Sequence, residues 1–354
     1  MKLTFIGDVF PADESFCVGF GIHSQFQKNW GAAWKNNIRA FTEGADYVIG
    51  NLESPLIDSS RAMTDDFYGH PRFASFLKDS GVNVLNVANN HILEQGENGY
   101  KETIQILGRE EIKVLGNSGE ILYLRENGCC VAIAGFCDAN LLDESIDNTL
   151  SVFSQENIMA ALDAMKSQQA DIKIFCFHWG NEYIQKPSVN QRTVATSLID
   201  AGADIIIGHH PHVIQPYEQY KSGYVFYSLG NFCFNNSFQS KAFSIGMLVS
   251  LEIDTEKKEI QDFTLSGVKL SDKKLVVKMK PAAFQSYFSK IQNSYLASIS
   301  MENYAQNYEK ERRKRRLIER ISMKISLIPL FFSIKTKEKG MLIRNVFKTI
   351  ANKL

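Results

Sequence analysis

Apolar runs bounded by turn residues recur through the first two thirds of this chain, and they restrict its possible folds more than any other feature. The runs are KLTFIGDV, ADYVIGNLE, VNVLNVANNH, CVAIAGF, DIKIFCFHWG, ADIIIGHHPH and YVFYSLGNF. Segments with helical spacing lie between several of them, notably residues 96–108, 155–168 and 188–201. Because near-continuous apolar strands alternate with amphipathic helices, the sequence predicts an α/β domain whose sheets are covered by helices.

The pattern changes towards the C-terminus. The stretches FSIGMLVSLEID, IQDFTLSGVKL and KLVVKMK follow one another without a helical segment, which predicts an antiparallel end to the sheet near residue 280. From residue 281 onwards glycine is rare and Lys and Arg are frequent. We therefore predict one folded domain over residues 1–280 and a basic, amphipathic helical extension over residues 281–354.

The charge of the C-terminal segment indicates an anionic partner. Residues 305–354 contain 14 Lys and Arg and 4 acidic residues, whereas residues 1–304 contain 25 Lys and Arg and 35 acidic residues. The block from Tyr308 to Arg320 has helical spacing, and basic and apolar residues interleave after it. Such a segment suits a helix at an anionic membrane surface, and packing against the acidic body of a partner subunit or a solvated helix are the alternatives.

Other partners and locations agree less well with the sequence. The apolar run ISLIPLFFSI contains Pro329 and is too short to span a bilayer, and no DNA-binding motif accompanies the basic residues, so we expect no nucleic-acid partner. The N-terminus enters a strand directly without a signal-peptide pattern, and the six cysteines lack the spacing of a disulfide framework. We expect a cytoplasmic protein with reduced thiols, and peripheral contact of residues 305–354 with the inner face of the membrane is one alternative for its tail.

Polar residues that can bind metal follow the ends of five apolar runs. They are Asp8 after LTFIG, Asn51 and Glu53 after YVIG, Asn90 and His91 after LNVA, His178 after IFCF, and His209, His210 and His212 after IIIG. Strand ends are where α/β folds assemble their sites, so we expect these side chains to converge. Buried imidazole is costly unless it is hydrogen-bonded or ligated, and the mixed oxygen and nitrogen ligands predict a site for Mn, Fe or Zn.

The motifs around these residues resemble a known family. They are GDV at 7–9, NLESPL at 51–56, VANNHILEQG at 87–96, HWGNEY at 178–183 with QR at 191–192, GADIIIGHHPHVIQ at 202–215 and YSLGNF at 227–232. Together they resemble the CapA proteins of poly-γ-glutamate capsule synthesis, which belong to the calcineurin-like metallophosphoesterase superfamily. The resemblance implies a four-layer α-β-β-α sandwich of the metallophosphoesterase type, followed here by the C-terminal basic helical tail.

The resemblance also implies a centre with two divalent metal ions between the loop ends. Its ligands would be Asp8, Glu53, Asn90, His178, His210 and His212. In that pattern Asp8 binds the first metal, Glu53 bridges both and Asn90 binds the second. Two cations that share a carboxylate lower the pKa of bound water towards about 7, which implies metal-hydroxide attack on an anionic substrate.

Further residues are expected around the ligands. His91 would donate a proton to the leaving group, and Glu94 would orient it, because the acidic residue that usually follows this histidine is replaced by Ile92. Asn51, Glu94, Glu182 and Asn231 are expected to contact the substrate or a metal ligand. For Glu182 a capping role is equally compatible with the sequence, and for Asn231 the alternative is a role in a turn.

One ligand of the superfamily pattern is missing from this sequence. The first strand usually carries Asp-x-His, but residue 10 is Phe10, so the first metal would be held weakly or by a residue from elsewhere. Glu53, where the wider superfamily has Asp, is shared with the CapA group and would shift the metal position.

The resemblance predicts a metal-dependent hydrolase in the biosynthesis of a capsule or another anionic surface polymer. The substrate would be that polymer or a phosphoester, with an amide or glycosyl bond as the less favoured target, and capsule synthesis proteins would be partners. The alternative is a non-catalytic subunit of a membrane polymer synthesis or export complex, docked through its basic tail.

Overall fold

The apolar runs form the strands of two mixed β-sheets in the computed structural model, which describes residues 1–142, 149–235, 241–271, 274–299, 302–315, 331 and 336–351. In chain order the strands are β1 Lys2–Val9, β2 Tyr47–Leu52, β3 Val84–Asn86, β4 Lys113–Leu115, β5 Ile121–Glu126, β6 Cys129–Asp138, β7 Val152–Phe153, β8 Ile172–His178, β9 Ile205–His209, β10 Tyr217–Tyr220, β11 Gly223–Phe226, β12 Asn231–Cys233, β13 Ile245–Asp254, β14 Glu259–Ser271 and β15 Leu275–Lys278. The predicted α/β class is confirmed.

Each sheet combines parallel and antiparallel strands. The first sheet has the order β15-β14-β13-β1-β2-β3-β4, and β12 also pairs with β1. Strands β1 to β4 run parallel, whereas β13, β14 and β15 are antiparallel, so the predicted antiparallel end near residue 280 is confirmed. The second sheet has the order β10-β11-β9-β8-β6-β5, with β6, β8, β9 and β11 parallel.

Helices occupy most of the connections between parallel strands. They are α1 Ile22–Asn29, α2 Lys35–Thr42, α3 Arg72–Asp79, α4 Gly96–Arg109, α5 Gln155–Ser167, α6 Val189–Ala201, α7 Pro281–Ile299, α8 over residues 304–315 and α9 Thr336–Ala351. The predicted segments 96–108, 155–168 and 188–201 match α4, α5 and α6. Helix α6 begins at a capping box between Ser188 and Gln191 and ends at Gly202, whose φ of 110° requires glycine.

Three apolar clusters hold these layers together. Residues of both sheets, such as Phe5 and Ile207, meet in a cluster between the sheets. Helices α1 to α4 pack on the first sheet, for example through Phe26 of α1. Helices α5, α6 and α7 pack on the second, for example through Leu198 and Tyr295. Burying apolar surface on both faces of each sheet is what makes the near-continuous apolar strands stable.

The segment after residue 281 begins with a helix that packs on the domain. In α7, Phe284 and Phe288 join the cluster between the sheets. Residues 304–315 are helical, which covers part of the predicted helix from Tyr308 to Arg320, and residues 316–320 lie outside the described residues, as does most of the apolar run after them. No helix among the described residues is long and apolar enough to cross a membrane. The division into 1–280 and 281–354 stays a prediction.

Gly208 in β9 provides a test of the close packing between neighbouring strands. A Cβ atom there would lie 1.9 Å from the carbonyl oxygen of Tyr227 and 2.6 Å from Trp179 Nε1. We expect Gly208→Ala to lower the free energy of unfolding by about 3 kcal/mol, because the backbone must move to accept the methyl group. Gly108→Ala is the control: its Cβ would meet no atom within 4 Å, so helix α4 should be unchanged or more stable. Urea unfolding measures both, and equal effects would contradict the prediction.

Arg192 of the QR motif stabilises the fold and, among the residues that the structure describes, does not contact the candidate site. The Arg192 guanidinium forms an ion pair with Glu218 at 2.9 Å, and Glu218 Oε2 also accepts hydrogen bonds from Tyr227 at 2.8 Å and Tyr295 at 2.6 Å. Burial by itself raises the pKa of Glu218, but the hydrogen bonds from Arg192, Tyr295 and Tyr227 hold this pKa below its ordinary value. One carboxylate thus ties α6, β10 and α7 together.

This carboxylate should make stability depend on pH. Because its pKa is lower in the folded chain than in the unfolded chain, ionised Glu218 adds stability that is complete above about pH 4.3 and is lost as the pH falls through the folded value. Glu218→Gln should therefore cost about 1–2 kcal/mol at pH 7 and much less at pH 3. Unfolding at both pH values measures this, with exposed Glu259→Gln as the control. An equal cost at the two pH values would exclude the ionised pair as its cause.

Candidate metal centre

A row of polar residues crosses the first sheet where its parallel strands end. Asp8 of β1 is in register with Asn51 of β2 and with Asn231 of β12. Asn51 is in turn in register with Asn86 of β3. All four side chains are fully buried. The parallel topology therefore brings polar groups that are far apart in sequence to one edge, as the strand-end pattern predicted.

The second sheet contributes histidines to the same place. His178 at the end of β8 is in register with His209 at the end of β9. The chain then turns, and His210 and His212 adopt left-handed backbone conformations with φ of 93° and 55°. These conformations are unfavourable for residues with a Cβ atom, and they cluster at functional sites. Two left-handed residues two positions apart direct the end of the GHHPH motif towards the first sheet.

Glu53 lies between these histidines and Asp8. Its Oε1 is 3.3 Å from His178 Nε2 and 3.6 Å from His212 Nε2. Two sets of potential ligand atoms each lie within 4.8 Å of one another, Asp8 with Glu53 and His178, and Glu53 with His210 and His212. Glu53 is the member that the two sets share. Neither of its carboxylate oxygens has a hydrogen-bond partner among the described residues, although the side chain is fully buried.

Asn90 joins this cluster through His178. The Asn90 Oδ1 atom lies 2.7 Å from His178 Nε2, and His210 Nδ1 lies 3.1 Å from the same nitrogen. An amide oxygen, two imidazole nitrogens and the Glu53 carboxylate therefore converge around one point. All six predicted ligands are thus brought together, and their roles as ligands stay a prediction.

Asp8 is held by residues on both sides. His209 Nδ1 lies 3.1 Å and Asn51 Nδ2 2.8 Å from Asp8 Oδ1, while His212 Nδ1 lies 3.3 Å from Oδ2. Burial by itself would raise the pKa of Asp8, but the hydrogen bonds with His209 and His212 hold it well below its usual range. His209, for which the sequence indicated no role, fixes this carboxylate. Asn231 Oδ1 lies 3.0 Å from His212 Nδ1, as expected for a residue that orients a ligand.

Sequence reasoning missed two buried amides. The Asn51 Oδ1 atom accepts hydrogen bonds from Asn86 Nδ2 at 3.0 Å and from Asn89 Nδ2 at 3.3 Å. Asn51 Nδ2 lies 3.2 Å from His178 Nδ1 in addition to its bond to Asp8. Asn51 is therefore the junction between the two sheets. A signal was present in the sequence, because Asn86 and Asn89 interrupt the apolar run in LNVANNH before the predicted ligand Asn90.

His91 lies at the rim of the cluster. Its Nδ1 is 2.9 Å from Glu94 Oε1, so the structure places Glu94 within reach of the imidazole. The ring stacks on Phe67 at 5.3 Å and meets the edge of Phe10 at 6.1 Å. Phe10 in turn stacks on Phe234 at 4.7 Å, so residue 10 belongs to an aromatic wall and supplies no ligand. The wall leaves His91 with 20% of its side chain exposed.

Two further carboxylates lie near the opening. Glu182 is exposed on the loop after β8 and is not a member of either ligand set. Glu14, which the sequence did not single out, lies on the loop after β1. Burial, together with the charges of Glu182 and Asp13, raises the pKa of Glu14 to about 7 even though His212 acts in the opposite direction. Glu182, Glu14 and His212 are thus electrostatic neighbours.

The charges of the cluster fit divalent cations. Burial raises the pKa of Glu53 well above its usual range, and the charges of Asp8 and Glu182 add to this rise although the charge of His212 opposes it. Glu53 and Asp8 in turn raise the pKa of His212 to about 10 in spite of its burial, so this imidazole must lose its proton to bind a metal. Burial lowers the pKa of His178 and brings that of His210 to about 4, so both imidazoles are neutral at pH 7 and can act as ligands. A buried carboxylate without a partner is costly, and a cation removes that cost. The donor set of carboxylates, imidazoles and one amide suits Mn, Fe or Zn.

The sequence profile of the family described as bacterial capsule synthesis protein PGA_cap matches residues 2–236. The chain belongs to this family. Every residue of the cluster, from Asp8 to Asn231, lies within the matched span. The resemblance in the motifs is therefore confirmed, and the centre is part of the family region, whereas α7, α8 and α9 lie beyond it.

Two curated relatives carry related names. The capsule biosynthesis protein CapA of Bacillus anthracis is 36% identical over 219 residues, which cover 56% of this chain and 53% of that protein. The PGA biosynthesis protein CapA of Bacillus subtilis (strain 168) is 35% identical over 204 residues, covering 54% of each chain. The chain spans about half the length of the curated relatives it matches. Among solved structures, a putative 5′-nucleotidase from Staphylococcus aureus has a TM-score of 0.48 and 16% identity, covering 89% of this chain and 58% of that one.

Proposed function

We propose that this capsule-synthesis protein is a metal-dependent hydrolase of the phosphoesterase type that builds or trims an anionic surface polymer. The observation that carries the proposal is Glu53, a fully buried carboxylate without a hydrogen-bond partner that belongs to both sets of potential ligands. A carboxylate in this position costs free energy unless cations compensate it, and one that is shared by two sets suits a pair of ions.

The proposed ligands divide between two ions that share Glu53. Asp8 would hold the first ion and Asn90 the second, and His178, His210 and His212, which lie around Glu53, would complete their ligand sets. Phe10 reduces the ligand set of the first ion, so we expect that ion to bind more weakly. When bound, the two ions supply a positive field that attracts an anionic substrate and lowers the pKa of water in the centre.

His91 is the proposed proton donor to the leaving oxygen. Glu94 engages Nδ1, which leaves Nε2 as the nitrogen that can face a substrate. Phe67 and Phe10 pack against the imidazole ring and limit its rotation and its contact with water. A proton held on Nε2 would pass to the departing oxygen as the bond breaks. Asn51, Asn231 and His209 position the ligands, and Glu182 at the opening would contact the substrate.

The fold supports the metallophosphoesterase type. Two sheets packed face to face, with helices on both outer faces, give the layer order α-β-β-α. We propose that the domain ends near residue 280 and that α7, the first helix of the extension, packs on it. The basic tail over residues 305–354 would hold the protein at the cytoplasmic face of the membrane, beside other capsule synthesis proteins.

One observation favours a second function. Phe10 lies in the aromatic wall, so position 10 would supply no ligand to the first ion. A centre that binds metal weakly would suit a non-catalytic subunit of a polymer synthesis or export complex, docked through its tail.

Metal analysis and an assay separate the two functions. Protein purified without chelator and analysed by elemental mass spectrometry should contain Mn, Fe or Zn, and it should hydrolyse a chromogenic phosphodiester. Removal of the metal should abolish hydrolysis and re-addition should restore it. Protein that binds no divalent ion at micromolar concentration, or that binds it without hydrolysing any phosphoester, would instead favour the subunit.

A further inference from the structure

The C-terminal helix α9 packs on the loop that borders the metal centre. Leu342 of α9 is buried in a small apolar cluster with Cys17 and Phe20, and Met341 and Val346 pack at its edge. This cluster is separate from the clusters that join the sheets and the other helices. The described part of α9 therefore packs against one short segment of the domain, residues 14–20, which we call the rim loop.

Polar contacts fix the register of the helix on the rim loop. The Asn345 side chain donates hydrogen bonds to the carbonyl oxygens of Val18 at 3.1 Å and Phe16 at 3.4 Å. Gly19 has a φ of 94°, and a Cβ atom there would lie 1.7 Å from Met341 Cε. The methionine thus packs directly on the glycine backbone, so the rim loop has a shape that fits this helix.

The rim loop is connected to the proposed proton donor. Gly19 N donates a hydrogen bond to Asp13 Oδ2 at 3.0 Å, and the Asp13 carbonyl oxygen accepts one from Phe67 N at 2.9 Å. Phe67 stacks on His91 at 5.3 Å. On the same loop, Glu14 is an electrostatic neighbour of His212. A displacement of α9 can therefore affect the metal centre through this short chain of contacts.

The same helix has the composition of a segment that binds anionic lipid. The sequence TKEKGMLIRNVFKTIA contains four basic residues and one acidic residue. Its apolar side chains at positions 341, 342 and 346 share the face that is turned to the rim loop, whereas Ile343 is 46% exposed and Arg344 is exposed. A helix of this kind binds anionic membranes by burying its apolar face between the headgroups. The face that would enter the lipid is the one that covers the rim loop, so the two contacts exclude each other.

We propose that α9 is a displaceable strap whose apolar face binds either the rim loop or an anionic lipid surface. Binding to lipid uncovers the rim loop and so changes the positions of Phe67 and Glu14 beside the metal centre. The inference rests on the peripheral membrane contact of the proposed function and adds that this contact is coupled to the catalytic domain.

The rate at which Cys17 is alkylated in the intact chain measures whether α9 covers the rim loop. All six cysteines are free and buried, and Cys17 is the one that lies in the cluster with Leu342. The probes are vesicles that contain phosphatidylglycerol and vesicles of phosphatidylcholine alone, and alkylation is located by mass spectrometry. Anionic vesicles should raise the alkylation rate of Cys17 at least about tenfold, and zwitterionic vesicles should leave it unchanged. Cys176, in the cluster between the sheets, should stay protected throughout and so controls for global unfolding.

Two neighbouring substitutions form a matched pair. Leu342→Ser should expose Cys17 without vesicles and weaken binding to anionic vesicles, whereas Ile343→Ser, on the exposed side, should change neither. Vesicle binding that leaves Cys17 protected in the wild type would overturn the proposal, as would an unchanged alkylation rate in Leu342→Ser or a lack of binding to anionic vesicles. None of these readouts requires metal or hydrolysis. Failure of the proposed enzyme activity is therefore distinguishable from failure of the strap.

Discussion

Glu53→Gln is expected to abolish tight binding of divalent metal while leaving the metal-free protein at least as stable as the wild type. The carboxylate belongs to both sets of potential ligands, so its loss should lower metal affinity by more than about 100-fold. The amide has nearly the same volume and no buried charge, so it removes the cost of a carboxylate without hydrogen-bond partners. Hydrolysis should fall with the metal content.

Metal-dependent thermal unfolding measures both effects. Mn²⁺ at about 100 times its dissociation constant should stabilise the wild type by about 2.7 kcal/mol and the variant by almost nothing. Glu252→Gln, an exposed substitution on β13, is the control and should respond like the wild type. Retention of wild-type metal content by Glu53→Gln would show that the shared carboxylate does not hold the ions. A variant that is less stable than the wild type without metal would contradict the electrostatic argument.

His91→Asn should reduce hydrolysis by about 10²–10⁴-fold for a substrate with a poor leaving group and by less than about tenfold for a nitrophenyl ester. The difference follows from the proposed role, because only a strongly basic leaving oxygen needs a proton as it departs. Metal content should not change, since His91 lies at the rim and belongs to neither ligand set. The measurement is the rate for a series of phosphodiesters whose leaving groups differ in pKa.

Two further variants sharpen this prediction. His70→Asn replaces a histidine that contacts Trp30 and is not a predicted site residue, so it should leave all rates unchanged. Glu94→Gln should produce a smaller loss with the same dependence on the leaving group, because it keeps a hydrogen-bond partner for Nδ1 without the charge. If His91→Asn slowed all substrates equally, the residue would act in binding or folding and not as the proton donor.

The ligand positions could be predicted because each one follows a recognisable apolar run. Parallel strands end at one edge of a sheet, so Asp8 and Asn51 meet in the first sheet and His178 and His209 meet in the second. The packing of the two sheets then brings both groups together. The supporting residues were harder to identify. Asn86 and Asn89 interrupt an apolar run, but only the strand register of Asn86 and the hydrogen bond of Asn89 show that both contact Asn51.

The aromatic wall and the rim loop could not be predicted from local pattern. Phe10, Phe67 and Phe234 come from three separate segments, and the sequence shows only that position 10 is not histidine. In the same way, the apolar spacing of α9 predicts an amphipathic helix and does not identify what the apolar face covers.

The sequence by itself determined the α/β class, the antiparallel end of the first sheet and the set of candidate ligands, because these depend on periodicity and on residue chemistry at strand ends. Only the tertiary structure decided that Glu53 lies between two ligand sets, that Glu94 reaches His91 and that α9 covers the rim loop. These contacts join residues far apart in the chain, and their distances depend on how the sheets, loops and tail pack. The secondary-structure propensity of each segment does not specify how distant segments pack on one another.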